Sequence, residues 1–467
     1  MFLNALKTIT MNTIAERLKV ITGEENVLAG NEIGEEYGHD ETLTIKPCLP
    51  ELVVKPRSAD EISKILRLAN EEKIPITPRG GGTGLSGGCV AVSGGILLSL
   101  ERMNKILEID EENFVAVTEA GVTLADFYKA VEARGLYYPI YPGEGSATIG
   151  GNVATNAGGM SAVKYGVTRH FVLGLEAVLP TGDTIETGGK YVKVSTGYDL
   201  TQLIIGSEGT LAVITKVILK LLPRPKARTS LFVPFKDLYD GIRVVPIILR
   251  SGVMPSTVEF LDKVGLNAME NYTEIKIPIS EQVRDEAKAF LLIVVEGRTS
   301  EESFRDAEFI GDICMKNGAI DIFAPSTERS GRELLELREK AFYAAKEVGA
   351  RDFLDIVVPR SEISKFLERV YEIAAGYGTN IASAGHAGDG NVHLAIFEQN
   401  VDRLSMILWE ISKAGKTLGG AISAEHGIGS EKRQFFLGLE DKAKVELMRR
   451  IKKAFDPNSI LNTGKIF

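Results

Sequence analysis

The chain has 467 residues, 44% apolar and 25% charged, with 54 basic against 63 acidic side chains and a net charge of −9. At roughly 150 residues per domain it holds about three structural units; its ordinary globular composition excludes disordered and fibrous classes, and an acidic balance without a long basic run argues against a nucleic-acid partner. Apolar stretches such as Phe290 to Val295 fall far short of the roughly 20 residues of a membrane span, and Cys48, Cys89 and Cys314, scattered and odd in number, form no disulfide framework, CxxC knuckle or iron–sulfur motif, which fits a reducing, cytoplasmic setting.

Residues 1 to 45 read as an N-terminal extension. A helix with Ile14, Leu18 and Ile21 on one face precedes a loop through Tyr37 and Asp40, its chemistry silent and its start lacking the features of a secretory signal. From Leu52 the pattern alternates: a strand Leu52 to Val54, a helix opened by Ser58 with Ile62, Ile65, Leu66 and Ala69 at helical spacing, and a strand Ile74 to Pro78. Further strands fit Gly95 to Leu98, Phe114 to Thr118 and Val172 to Leu179, a helix fits Leu124 to Arg134, and PRPK at 223–226 reads as a boundary. From 227 to 415 the texture becomes strand–helix–strand. One unit runs from Ser230 to Val233 through a helix near 237–250 to Ser256–Phe260, and a second from Phe290 to Val295 through a helix 300–316 to Ala319–Phe323. A third joins Phe353–Val358, a helix with Ile363, Phe366, Leu367, Val370 and Ile373, and a strand near Asn380–Ala384. Such repetition predicts an antiparallel sheet covered by helices, a ferredoxin-like second domain. The tail 404–467 carries two helices.

Glycine is in excess, 48 residues against a usual ~7%. PRGGGTGLSGG (78–88) follows a predicted strand, so its successive amides suit an anion-binding nest; it is neither GxGxxG opening a helix nor a Walker loop. YPGEGSATIGGNVATNAGGMSAVKYG (141–166) combines glycines with Ser, Thr and Asn donors, and YDLTQLIIGSEGTLAVIT (198–215) sets Glu208 in a tight turn, where a glutamate is ordinarily solvated. His386 and His393 flank Ala-Gly-Asp-Gly-Asn-Val. A straight strand would hold them apart on opposite faces, whereas Gly388 and Gly390 permit a turn that joins them. With Glu425 they make two imidazoles and one carboxylate, the composition of an open divalent-metal site, and Asp389 and Asn391 are candidates to orient the imidazoles or the substrate.

These segments, with GHAGDGNVH and AEHGIGSEKR, stand in the order found in FAD-dependent D-2-hydroxyacid dehydrogenases, and over roughly 45–467 the chain resembles the glycolate oxidase flavin subunit and D-lactate dehydrogenase type within the vanillyl-alcohol-oxidase-like flavoproteins. The resemblance implies an α+β fold: a two-subdomain mixed α/β FAD-binding domain (46–226), an antiparallel-sheet cap holding substrate (227–415) and a C-terminal segment (416–467) returning to the FAD domain. It places Pro78, Gly80, Gly81, Gly82, Thr83 and Gly84 at the FAD pyrophosphate. Pro142, Gly143, Ser146, Ile149, Gly150, Asn152, Gly158 and Gly159 would line the flavin, and Glu208, Gly209 and Ile214 the adenosine side. The first loop has no His or Cys to link to the flavin, so non-covalent FAD is expected. The resemblance assigns His386, His393 and Glu425 to a divalent metal (Zn, Fe or Mn), His426 to the base that takes the hydroxyl proton, and Arg338 of LLELREKAF to the substrate carboxylate.

Two departures from the 2-hydroxyglutarate-type relatives remove polarity, Phe342 one turn after Arg338 and Phe353 where those enzymes tend to carry lysine. They favour a short monocarboxylic acid, D-lactate or glycolate. A D-2-hydroxyglutarate-type dehydrogenase, a non-redox alkyl-dihydroxyacetone-phosphate synthase and a non-catalytic flavin subunit are the alternatives. With no further redox motif in the chain, electrons are expected to leave for a partner such as an electron-transferring flavoprotein, an iron–sulfur subunit or a cytochrome, with oxygen as the rival acceptor.

Overall fold

The computed structural model describes residues 2–325 and 327–467. Helix Ala59–Glu72 forms where its pattern predicts. Ser58 caps it by accepting from the Glu61 amide at 3.2 Å, and Ile62, Ile65, Leu66 and Ala69 bury its inner face. It connects strands Leu52–Val54 and Ile76–Arg79, which do not pair with each other. Strand Ile96–Ser99 lies between them, parallel to both, and Val27–Ala29 adds antiparallel outside Leu52–Val54. The segment before residue 45 is therefore woven into this sheet.

A second sheet has five antiparallel strands in the order Ile106–Asp110, Val115–Glu119, Val213–Lys220, Val172–Val178 and Thr184–Gly188. One buried cluster serves both sheets, running from Ile14 to Leu221 and closed by Ile460 and Leu461 from the far end of the chain. Those last residues lie beside Ile76, whose amide donates to the Ile460 carbonyl at 2.8 Å while its carbonyl accepts from the Asn462 amide at 2.7 Å.

The third sheet has six antiparallel strands in the order Ala227–Phe235, Ala289–Gly297, Thr257–Asp262, Ile381–His386, Asn391–Ile396 and Asp352–Val357. Side chains alternate along each strand. Val258, Phe260, Leu354, Ile356, Val392 and Leu394 enter one large cluster, which also takes buried side chains of helices Leu238–Leu249, Ser300–Lys316, Ile363–Tyr377 and Val401–Thr417. The intervening residues Glu259, His386, His393, Phe353 and Asp355 therefore share the opposite face, where the site is built. Ala319–Phe323, expected as a strand, makes only isolated bridges to Phe232 and Phe235. Pro234 in the facing strand has no N–H to continue that ladder. The tail holds helices Arg433–Leu439 and Lys442–Phe455 after Val401–Thr417, and no helix among the described residues is long and apolar enough to cross a membrane.

The C-terminal return hangs on Asp456, fully buried, whose carboxylate accepts from the Ile460 and Leu461 amides at 3.1 and 2.8 Å and pairs with Lys452. Asp456→Ala strands these donors in the interior and should lower stability by about 3 kcal/mol, measured by chemical denaturation. A loss below about 1 kcal/mol would show that the return does not depend on it.

Candidate active site

Two cavities meet at Leu85, Pro142, Glu425 and His426. The larger, about 210 Å³, lies between the two glycine-rich loops, the Gly-Ser-Glu-Gly turn and the returning C-terminal segment. Pro78, Gly80, Gly81, Gly82, Thr83, Gly84, Pro142, Gly150, Asn152, Gly158, Glu208, Gly209 and Ile214 all line it. Gly143 and Gly159 line the smaller cavity instead. Ser146 and Ile149 line neither: Ile149 is core at 1% exposure, and the Ser146 carbonyl backs Gly81. A Cβ on Gly80 would collide with the Thr148 hydroxyl, and one on Gly81 would come 2.6 Å from the Ser146 carbonyl, so glycine lets the two loops press together.

Two residues of this cavity carried no signal in the sequence. Asp40 lines it from the N-terminal segment, which is therefore not chemically silent. Its Oδ1 accepts from the Thr42 amide at 3.1 Å, its Oδ2 has no hydrogen-bond partner among the described residues, and burial raises its pKa to about 6. Cys89 stands one residue past the first loop; burial raises the thiol to about 11, and Arg79 Nη1 donates to its Sγ at 3.3 Å. Glu208, though it lines the cavity, is not a solvated turn residue. Buried at φ +52°, it accepts from the Ile428 and Gly429 amides at 2.7 and 2.6 Å and so holds the loop that carries Glu425 and His426.

The smaller cavity, about 90 Å³, is lined by Tyr141, Met160, Arg338, Glu339, Phe342, Phe353, His386, His393, Glu425 and His426, among others. Across the hairpin, Ala384 faces His393 and His386 faces Asn391, so both imidazoles project from the same side, and Gly390 turns the chain at φ +99°. His386 Nε2 and His393 Nε2 are 3.3 Å apart, and Glu425 Oε1 lies 3.2 and 3.3 Å from them. Three ligand atoms at such spacing match the edges of a tetrahedral site with bonds of about 2.0–2.1 Å, so the donor set fits a divalent cation such as zinc. Burial opposes charge on these groups, yet Glu259 and Glu425 raise the His386 pKa well above its ordinary value, and His386 holds Glu425 well below the usual carboxylate range. Gly158 leaves room for Glu425, whose carboxylate a Cβ there would strike.

Asp355 faces His393 in register and is fully buried. Its Oδ2 accepts from the Ser423 hydroxyl at 2.9 Å and from the Ala424, Glu425 and His426 amides at 3.0, 3.0 and 2.9 Å. Burial alone would raise its pKa, but His426 and Lys432 bring it far below the ordinary carboxylate value. Asp355, His393, Glu425 and His426 also lie close enough to share a cation. Asp355 Oδ2 serves four donors, while its Oδ1 is buried with no hydrogen-bond partner among the described residues. His426 stacks on His393 at 5.3 Å and His393 on Phe353 at 5.9 Å, and burial lowers the His426 pKa to about 4 against the pull of Asp355.

Arg338 is not an exposed helical arginine. It is 7% exposed, lines the smaller cavity and lies 2.9 Å from Glu259 Oε2. Asn391 is buried but lines neither cavity, and its Oδ1 has no partner among the described residues. Asp389 accepts from the Asn391 amide at 3.1 Å. The carboxylate at His386 Nδ1 is Glu259 instead, its Oε1 2.7 Å away. Glu259 and Asp355 were missed from the sequence, although an acidic residue inside an apolar strand, as in TVEFLD and FLDIVV, marks a buried charge that must find a partner.

The chain matches the family model for the C-terminal domain of FAD-linked oxidases over residues 224–466 and that for an FAD binding domain over 50–188. It is 48% identical to an uncharacterized FAD-linked oxidoreductase of Mycobacterium tuberculosis, covering 98% of this chain and 99% of that one. Identity is 40% to the glycolate oxidase subunit GlcD of Bacillus subtilis, covering 97% and 96%. It is 42% to a D-lactate dehydrogenase of Archaeoglobus fulgidus, covering 89% and 91%. Among solved structures, p-cresol methylhydroxylase with substrate bound superposes with a TM-score of 0.81 at 20% identity, covering 98% and 96%, which shows a shared fold.

Proposed function

Because the chain belongs to the FAD-linked oxidoreductases of the D-lactate, glycolate and D-2-hydroxyglutarate dehydrogenase type, we propose that it oxidises a short D-2-hydroxy acid, D-lactate or glycolate, to the 2-oxo acid. FAD would be held non-covalently along the larger cavity, and a divalent cation (Zn, Fe or Mn) by His386, His393 and Glu425. The observation that carries this reading is the convergence of three ligand atoms, an arginine and a neutral histidine on one small cavity that opens into the cofactor cavity.

Bound FAD supplies the hydride acceptor, and the bound cation the Lewis acidity that favours an alkoxide. Arg338 binds the substrate carboxylate. His426 takes the hydroxyl proton: Asp355 lies 4.0 Å from its Nδ1, which favours the tautomer protonated there and leaves Nε2 as the accepting atom. Phe342 packs edge-on against Phe353 at 5.5 Å, and these rings with Met160 keep water from the face where C2 of the substrate would sit. The reduced flavin would be reoxidised by a separate electron carrier, an electron-transferring flavoprotein, an iron–sulfur subunit or a cytochrome. Cys48, Cys89 and Cys314 are free thiols, in keeping with a reducing, cytoplasmic location.

The decisive measurement is anaerobic bleaching of the flavin. D-lactate or glycolate should bleach it within a turnover time, L-lactate and D-2-hydroxyglutarate much more slowly, and a chelator should abolish the effect while leaving FAD bound. Bleaching by none of these acids would remove the reading. Acid precipitation should release yellow FAD into the supernatant; colour retained on the pellet would mean that Cys89 or another side chain is linked to it.

Charge in the smaller cavity supports a single substrate carboxylate. Among the described residues Arg338 is the one arginine or lysine in its lining, Glu339 and Glu425 are carboxylates, and burial raises Glu339 to about 7. A second substrate carboxylate therefore meets no further arginine or lysine among the described residues of this lining. Glu339→Lys should raise kcat/KM for D-2-hydroxyglutarate relative to D-lactate by about tenfold, the worth of one charge-assisted bond. An unchanged ratio would place the selectivity in the phenylalanines alone.

A further inference from the structure

One buried carboxylate of the site touches two of its proposed working groups. Glu259, in strand Thr257–Asp262, is fully buried and sits directly across from His386 in the sheet. Its Oε1 is 2.7 Å from His386 Nδ1, and its Oε2 is 2.9 Å from Arg338 Nη2. These contacts join three elements distant in sequence: the strand, the hairpin and the helix Glu328–Glu339.

We propose that Glu259 is the positioning residue that ties the metal ligand His386 to the carboxylate-binding Arg338, so that one side chain sets the geometry of both. The inference rests on the metal and substrate reading above. A histidine presents the Nε2 lone pair to a cation when Nδ1 keeps the proton, and a carboxylate at Nδ1 both fixes that tautomer and makes Nε2 a stronger donor. Asp389 and Asn391, the polar neighbours in the hairpin, make no such contact with the ring.

The second oxygen answers a different problem. Arg338 and a divalent cation would share the lining of one cavity of about 90 Å³, and two cations so close in a water-poor site repel. A carboxylate in contact with both the His386 ring and the guanidinium offsets that repulsion and anchors the arginine beside the cavity. Loss of its charge therefore weakens the cation, and loss of its reach releases the arginine.

The test uses the FAD-loaded protein with zinc as the probe, its affinity read by competition with a chromophoric chelator, alongside flavin content and steady-state kinetics with D-lactate. Glu259→Gln should weaken zinc about 10–100-fold at unchanged flavin content, and raise KM for D-lactate by a larger factor than it lowers kcat. Glu259→Asp, which keeps the charge but shortens the reach, should recover part of the zinc affinity. Zinc affinity within twofold of wild type in Glu259→Gln overturns the inference. So does loss of flavin and zinc together with no recovery in Glu259→Asp, the signature of a merely structural role. If Glu259→Gln does not hold FAD, Glu259→Asp decides alone: FAD retained with a several-fold raised KM for D-lactate supports the coupling, and a KM within twofold of wild type overturns it. Wild-type protein that takes up no zinc overturns the metal reading and this inference with it, whereas an intact wild-type site with Glu259→Gln unaffected overturns this inference alone.

Discussion

The loop from Ser423 to Gly429 is held from two sides by buried carboxylates, and the site depends on that grip. Asp355, from the six-stranded sheet, gathers the Ser423 hydroxyl and three successive amides on one oxygen. Glu208, from the turn after helix Leu200–Ile204, takes the amides of Ile428 and Gly429. Glu425 and His426, which line both cavities, are held by the first grip, and the second fixes the backbone that follows them. A loop without regular hydrogen bonds would ordinarily leave its amides to water. Here carboxylates accept from those amides in place of water, along the backbone that carries a proposed ligand and a proposed base.

The same economy recurs across the sheet. Alternation sends the apolar side chains of four adjacent strands into the helical layer and turns Glu259, His386, His393 and Asp355 toward the cavity. Unpaired charges on such a face would be costly. Each is instead matched: Glu259 with His386 and Arg338, Asp355 with the loop amides and Lys432 nearby, Glu425 with both imidazoles. Phe353 and Phe342 then close one side with ring faces and edges, so that polar groups converge where water is scarce and electrostatic interactions are strong.

The two cavities thus meet along a seam rather than forming a single pocket. The glycine loops need small residues because they pack on each other, and the space they leave is open to a flat, polar ligand. The C-terminal segment passes along this seam and meets Ile76 through residues 460–462, so the chain ties its two halves together beside the cavities.

Much of this was legible in residues 50–467. Helices with strong periodicity and caps, such as Ala59–Glu72, and strands with apolar runs were found because those signals are local. The glycine loops and the His386, His393 and Glu425 set were visible because side-chain type and a turn between two histidines already imply convergence. Tertiary structure alone decided the rest. It placed Ile96–Ser99 between two strands that looked like neighbours, brought Asp40 to the larger cavity, gave Glu208 to the loop amides, and put Glu259, not Asn391, on the His386 ring. Each of these joins residues far apart along the chain. The partner of a buried charge is chosen by which strands come to lie side by side, and no local pattern in the sequence records that choice.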